Sequence, residues 1–232
     1  MTKPCIILIN PQMGENIGMV ARAMLNCGLT DLRIVNPRDG WPSEPATRAS
    51  SGALDNGVTV SVFSNTSDAI KDCHFTFATT ARPRDMVKDV YTANGAMSAA
   101  HTKIASGQTI GILFGGERSG MANEDIALAS SIITIPLNPD FTSLNLAQAA
   151  LLVAYEFMIQ ADTTAAKLMD LGKTDIVTAD TIDNFTSRLI TELDDARFFR
   201  SEDLRPTTQR NLQNLFARLN LTDQDVQTFH GI

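Results

Sequence analysis

With 232 residues, 44% of them apolar, the chain has the length for one large domain, or a core with a small appendage, and the means to bury a sizeable core. No apolar run reaches transmembrane length, and Lys3 and Pro4 lead straight into a short apolar run where a signal peptide would need a longer one, so a cytoplasmic protein with no membrane is expected. Nineteen Lys and Arg against 26 Asp and Glu give a net charge of −7, which excludes a uniformly basic nucleic-acid binder and requires any RNA site to gather its cations in one place.

The first two-thirds alternates short β-branched apolar runs with helical stretches, the pattern of an α/β fold with a mostly parallel sheet. Expected strands are Cys5–Asn10, Asp31–Asn36, Val58–Phe63, Phe75–Thr80, Thr109–Phe114 and Ser131–Ile135. They alternate little, so they read as buried on both faces. Helices are expected near Asn16–Cys27, Thr47–Asp55, Ser67–Asp72, Asn94–Ser106 and Asn123–Ala129, with a long one from about Ser143 to Gln160. Asn123 is the expected cap of its helix, with Glu124 and Asp125 in the first turn. Residues 1–160 thus form the sheet domain, and the small, polar stretch 161–178 reads as a linker. Residues 179–232 then carry three amphipathic patterns, Asp180–Ala196, Pro206–Leu219 and Thr222–Phe229, a small helical C-terminal extension. Pro206 suits a first helical turn, and Thr222 with Asp225 resembles a capping box. Cys5, Cys27 and Cys73 lie far apart with no CxxC pair and no clustered His, so neither a disulfide framework nor a metal site is expected. Each sits among apolar neighbours and reads as buried and inert.

Three loops carry the chemistry. After the first strand, Gly14 and Gly18 would let backbone approach a ligand, and Asn16 is a candidate cap. Arg22 reads equally well as a surface arginine snorkelling past the core or as a cation held for a phosphate. The second loop, Ile112-Leu-Phe-Gly-Gly-Glu-Arg-Ser-Gly-Met121, is amide-rich. Its glycine spacing is not the dinucleotide fingerprint, and Asn36-Pro37 ends the second strand where such a fold needs an acidic residue. Glu117 in this turn reads first as an acceptor of backbone N–H groups and only second as catalytic. The third loop, Ile135 to Ala147, is stiffened by two prolines, with Ser143 as a candidate cap and Asn145 offering a donor and an acceptor. In open α/β sheets, ligands bind where such carboxyl-end loops converge.

The stretches Asn16–Ala23, Phe114–Met121 and Ile135–Ala147 resemble, in order and separation, the three motifs of the SpoU (TrmH-like) branch of the SPOUT methyltransferases. Thr79-Thr-Ala-Arg-Pro-Arg84, Leu215-Phe-Ala-Arg-Leu219 and Phe229-His-Gly-Ile232 extend the match almost end to end toward the TrmJ type, the tRNA (cytidine/uridine-2′-O-)methyltransferases. The resemblance implies an α/β sheet whose C-terminal part is threaded into a deep trefoil knot. It implies S-adenosylmethionine as cofactor, S-adenosylhomocysteine as product, no metal, and a homodimer with the active site at the subunit interface. Cofactor-binding positions would be Thr79, Thr80, Ala81, Gly115, Ile135, Ser143, Leu144 and Asn145. Catalytic positions fall on Asn16, Arg22, Glu117, Ser143 and Asn145, with Arg22 acting across the interface. The RNA-binding cations would be Arg22, Arg82, Arg84, Lys88 and Arg118, which otherwise read as an ordinary solvated cluster. The implied reaction is ribose 2′-O-methylation of tRNA in the anticodon loop (position 32). Another tRNA site, rRNA, or a non-catalytic knotted RNA-binding protein are the alternatives. Beyond Lys173, six arginines and no lysine stand against ten acidic residues, which departs from a tail that grips tRNA.

Overall fold

A computed structural model describes residues 2–80, 86–118, 120–167, 170–199, 201, 203 and 205–231. Seven strands, β1 (Cys5–Ile9), β2 (Asp31–Val35), β3 (Thr59–Phe63), β4 (Phe75–Thr79), β5 (Val90–Thr92), β6 (Ile110–Gly115) and β7 (Ser131–Thr134), form one sheet in the order β3-β2-β1-β6-β4-β7-β5. Every pairing is parallel. Six strands fall within a residue or so of their expected places. The seventh, β5, was not expected, because three residues carry too little periodicity to be read.

Period-two alternation splits the central strands between two apolar layers. Ile6, Leu8, Leu32, Ile34 and Phe77 pack on one side with Ile17, Val20 and Met24 of α1 (Gly14–Asn26), Ala96 and Met97 of α5 (Ala93–Ala105), and Ala150, Val153 and Phe157 of α7 (Leu146–Ile159). Cys5, Ile7, Ile9, Ala78 and Leu113 pack on the other with Ala69 of α4 (Thr66–Ile70) and Ile126 of α6 (Asn123–Leu128). The edge strand β3 corrects the expectation of strands buried on both faces. With a single neighbour, it is exposed or half-buried at every residue.

Three local expectations also change. The helix expected at Thr47–Asp55 is two, α2 (Glu44–Ala49) and α3 (Ala53–Asn56), because Ser51 (φ 50°) and Gly52 (φ 83°) turn left-handed between them. The cap of α6 is Ala122 instead of Asn123. Gly14 and Gly18 serve a helix contact instead of a ligand. A Cβ at Gly14 would stand 2.2 Å from Ser43 Oγ, and one at Gly18 would stand 2.1 Å from the Ala46 carbonyl oxygen. Four residues apart on one face of α1, they let α2 lie against it.

The chain divides into two units, Met1–Thr163 and Thr164–Ile232. The second has its own small core of Phe185, Phe216, Leu221 and Val226, drawn from α8 (Ala179–Asp195), α9 (Arg205–Ala217), the turn after it and α10 (Asp223–His230). Pro206 lies in the first turn of α9, and Thr222 with Asp225 forms the capping box of α10. Arg205 pairs with Asp194, and Arg188 stands 3.9 Å from Glu192. Among the described residues no helix is long and apolar enough to cross a membrane.

Candidate active site

The loops at the carboxyl ends of β1, β6 and β7 meet. The first turns sharply at Asn10, whose φ of 49° is left-handed and whose Oδ1 accepts from Asn36 Nδ2 at 3.0 Å. Helix α1 then starts at Gly14, with Met13 in the N-cap position and no side-chain oxygen of its own to receive the free amides. Glu117, from the loop after β6, supplies it. Its carboxylate accepts from the Gln12 amide at 2.9 Å, the Met13 amide at 3.4 Å and Asn16 Nδ2 at 2.6 Å. An anion at a helix N-terminus is favoured by the exposed amides and the helix dipole alike.

Asn16 is therefore not a helix cap. It is 3% exposed and points inward. Its donor must face the carboxylate, which only accepts, so its Oδ1 is left for Asn145 Nδ2 at 3.0 Å. Asn145, instead of Ser143, caps α7. Its Oδ1 accepts from the Ala147 amide at 2.8 Å, while its own amide donates to Gln148 Oε1 at 3.1 Å. The bonds Glu117–Asn16–Asn145 tie three loops together. Burial pushes the Glu117 carboxyl upward, but the Asn16 amide and the backbone N–H groups outweigh it and hold it below the ordinary 4.5.

Around Glu117 opens a cavity of about 310 Å³, within the size of small-molecule sites. Its walls are Thr79 and Thr80, then Gly115, Gly116, Glu117 and Arg118, then Ile135 and Leu137, and finally Thr142, Ser143 and Leu144 ahead of α7. Glycine is required twice here. A Cβ at Gly115 would meet the Gly120 carbonyl carbon and the Met121 nitrogen at 2.2 Å, and one at Gly116 would meet the Asn10 carbonyl oxygen at 2.4 Å. The β6 loop thus doubles back as bare backbone, with the Gly120 amide donating to the Gly116 carbonyl at 2.9 Å. Thr79 Oγ1 is buried without a hydrogen-bond partner, a cost that a ligand's polar atom would relieve. Apolar walls, exposed backbone groups and an orphaned hydroxyl suit a flat ring with a hydrogen-bonding edge, and so fit the adenosyl part of S-adenosylmethionine.

Of the expected cofactor residues, Thr79, Thr80, Gly115, Ile135, Ser143 and Leu144 line this cavity, whereas Asn145 is not among its walls and bonds to Asn16 instead. Of the expected catalytic residues, Glu117 and Ser143 line it and Asn16 is bonded to Glu117. Arg22 does not reach the cavity of its own chain. It is exposed, donates to Ser51 Oγ at 3.0 Å, and lines a separate depression with Asn26, Ser50 and Gly52. Arg118 lines the cavity. Lys88 is turned elsewhere, donating to the Ala127 carbonyl at 3.1 Å and to the Ala129 carbonyl beyond the end of α6. Ala81, Arg82 and Arg84 lie outside the described residues. The glycines at 115, 116 and 120 are legible in the sequence as an amide-rich turn, whereas the wall residues Leu137 and Thr142 lie inside the third loop without a signal of their own. Among the described residues no group of three or more His, Cys, Asp or Glu is placed to hold a metal ion.

The SpoU rRNA Methylase family is matched over residues 3–155. The chain is 31% identical over 233 residues to a tRNA (cytidine/uridine-2′-O-)-methyltransferase TrmJ from Photorhabdus laumondii, an alignment covering 98% of this chain and 93% of that one. It superposes with a TM-score of 0.83 on the crystal structure of TrmJ from Z. mobilis ZM4, with 40% identity, 99% of this chain and 97% of the other. The SpoU methyltransferase AviRb from Streptomyces viridochromogenes, solved in complex with AdoMet, superposes with a TM-score of 0.55 over 67% of this chain and 59% of its own. At 19% identity that likeness speaks to the fold alone.

Proposed function

The chain belongs to the SpoU rRNA methylase family, and on that premise we propose that it transfers a methyl group from S-adenosylmethionine to a ribose 2′-hydroxyl of tRNA, in the anticodon loop. The observation that carries this is the Glu117–Asn16–Asn145 chain of hydrogen bonds, which joins the three motif loops around one cavity.

S-adenosylmethionine, when bound, supplies a methyl group on a sulfonium, open to in-line displacement by the ribose oxygen. The protein's task is alignment, with reacting atoms held ~3–3.5 Å apart, together with relief of the charge on that oxygen. The walls at Thr79, Gly115, Ile135 and Leu144 hold the cofactor, largely through backbone groups. Ser143, exposed at the rim, orients the nucleotide. Asn16 has an amide hydrogen committed to Glu117 and its oxygen to Asn145, so it acts by holding loops in place rather than by touching RNA. A guanidinium keeps its proton, so Arg22 is no base. It holds the adjacent phosphate and stabilises the developing alkoxide.

For Arg22 to do so, it must come from a second copy. Met19, three residues before Arg22 on α1, is 38% exposed, and Leu151, Leu152 and Tyr155 of the adjoining α7 are 41%, 39% and 49% exposed. These apolar side chains, unusual in the open, suit a homodimer interface that carries Arg22 to the partner's cavity. A trefoil knot is supported by the strand order. β4 and β5 follow one another in the chain, yet β7 lies between them, the order that a knotted C-terminal part of the sheet requires.

The test is incubation of the purified protein with labelled S-adenosylmethionine and total tRNA, then mapping of the 2′-O-methyl site by mass spectrometry. Label in an anticodon-loop ribose is expected, together with a dimer by light scattering. Label confined to rRNA, or none with any RNA, overturns the proposal.

A further inference from the structure

At the amino end of the sheet, away from the cavity, two of the three thiols meet, against the expectation of isolated inert cysteines. Cys5 opens β1 and Cys73 lies two residues before β4, with Sγ atoms 3.8 Å apart. They meet because β6, which runs between those strands, has glycine at the crossing. Gly111 pairs with Cys5 on one side and Thr76 on the other, and a Cβ there would stand 3.0 Å from Cys73 Sγ. Cys5 is 3% exposed, whereas Cys73 is half-buried and open to small solutes. Arg33 of β2 lies beside the pair, fixed by Asp31, Asp72 and the Ala69 carbonyl. The thiol–thiol hydrogen bond raises Cys5 and lowers Cys73, with burial opposing and the Arg33 charge assisting at Cys73. Of the two thiols, Cys73 is the one that gives up its proton more readily.

We infer that Cys5 and Cys73 form a peroxide-sensitive dithiol, a modification site that closes to an intramolecular disulfide at the end of the sheet remote from the methyl-transfer cavity. The co-reactant is hydrogen peroxide or another hydroperoxide. The Cys73 thiolate attacks one peroxide oxygen, an S–O bond forms as the O–O bond breaks, and the departing hydroxide or alkoxide takes up a proton. Cys5 then attacks the Cys73 sulfur, an S–S bond forms, and the sulfenic oxygen leaves as water with the Cys5 proton. Two thiols lose two electrons and two protons, and the peroxide is reduced by two electrons. Closure requires the sulfurs to approach from 3.8 Å to about 2.05 Å, with movement of the half-exposed Cys73 and its turn toward Cys5. The inference rests on this end of the sheet alone and does not depend on the methyl-transfer reading.

The test exposes the native full chain to hydrogen peroxide, alkylates the remaining thiols, and analyses unreduced peptides by mass spectrometry. A peptide linking Cys5 to Cys73, lighter by two hydrogens and released by a dithiol reductant, is expected, with Cys27 alkylated. In Cys5→Ser the link is lost and Cys73 accumulates as a sulfenic acid trapped by a dimedone-type probe. Gly111→Ala, whose added Cβ crowds Cys73 Sγ, is expected to link more slowly than wild type, and the Cys5→Ser result stands on its own if that variant fails to fold. Three fully alkylatable thiols after a peroxide exposure that oxidises free glutathione would overturn the inference. So would sulfinic acid at Cys73 in wild type without any link, or a link to Cys27.

Discussion

The two ends of the sheet solve the same problem in opposite senses. At the carboxyl end the anion Glu117 receives hydrogen bonds from the Gln12 and Met13 amides and from Asn16. At the amino end the cation Arg33 donates to Asp31, Asp72 and the Ala69 carbonyl, with its side chain 13% exposed. The partners of Arg33 lie at the sheet's rim and satisfy it, and nothing there asks for a ligand. Those of Glu117 come from a loop about a hundred positions away, and the same cavity holds the unsatisfied Thr79 hydroxyl. One charged centre closes a surface and the other props open a receptive one.

Four substitutions or conditions test that contrast. Glu117→Ala leaves buried donors without an acceptor and releases the loops it joins. Methyl transfer is expected to fall about 100-fold, the scale of losing one preorganised polar group at a reacting centre, and folding stability by about 1–3 kcal/mol. Single-turnover rates and denaturant midpoints measure both, and wild-type turnover would show that the loop tie is dispensable. Arg33→Met should cost a similar about 1–3 kcal/mol with turnover unchanged. A fall in turnover at equal stability would mean the two ends are coupled. Thr79→Val keeps the shape and removes the orphaned hydroxyl. The cofactor-free protein should hold its stability within about 0.5 kcal/mol while S-adenosylmethionine binds about fivefold more weakly by calorimetry, the worth of one neutral hydrogen bond.

The smallest effect is acid dependence. The folded Glu117 carboxyl sits below its ordinary 4.5, so the stability it contributes is fully present above that value and is lost as pH falls through the folded one. The stability gap between wild type and Glu117→Gln should therefore narrow on acidification below pH 4.5. For Asp72, lowered chiefly by its hydrogen bond to Arg33, the gap to Asp72→Asn should begin to narrow only below the ordinary 3.8. Urea titrations at stepped pH would separate the two, and a gap that widened on acidification would contradict the sign.

What the sequence makes legible here is local. Runs such as Cys-Ile-Ile-Leu-Ile announce β1, and Thr222 with Asp225 announces the start of α10. The three loops were recognisable by residue type, and most of the cavity walls fall within them. Pairings across the fold were not legible. Nothing near Asn16 says that its amide points to a carboxylate 101 positions later, so it reads as a cap. Gly14 and Gly18 look like ligand-facing glycines until Ser43 and Ala46 are seen against them. Cys5 and Cys73 look solitary because their meeting depends on which strand lies between theirs, a matter of topology. Arg22 stays ambiguous for a related reason, since its proposed partner belongs to another copy of the chain.

The carboxylate staple has a dynamic corollary. Surface turns ordinarily trade their amide protons with water quickly, because opening them disturbs little else. The amides of Gln12 and Met13 are anchored to Glu117, which is rooted at the end of the central strand β6, so they cannot open without disturbing the core. Their deuterium uptake should follow the slow clock of the sheet, and the mouth of the cavity is then built from turns that keep time with the interior.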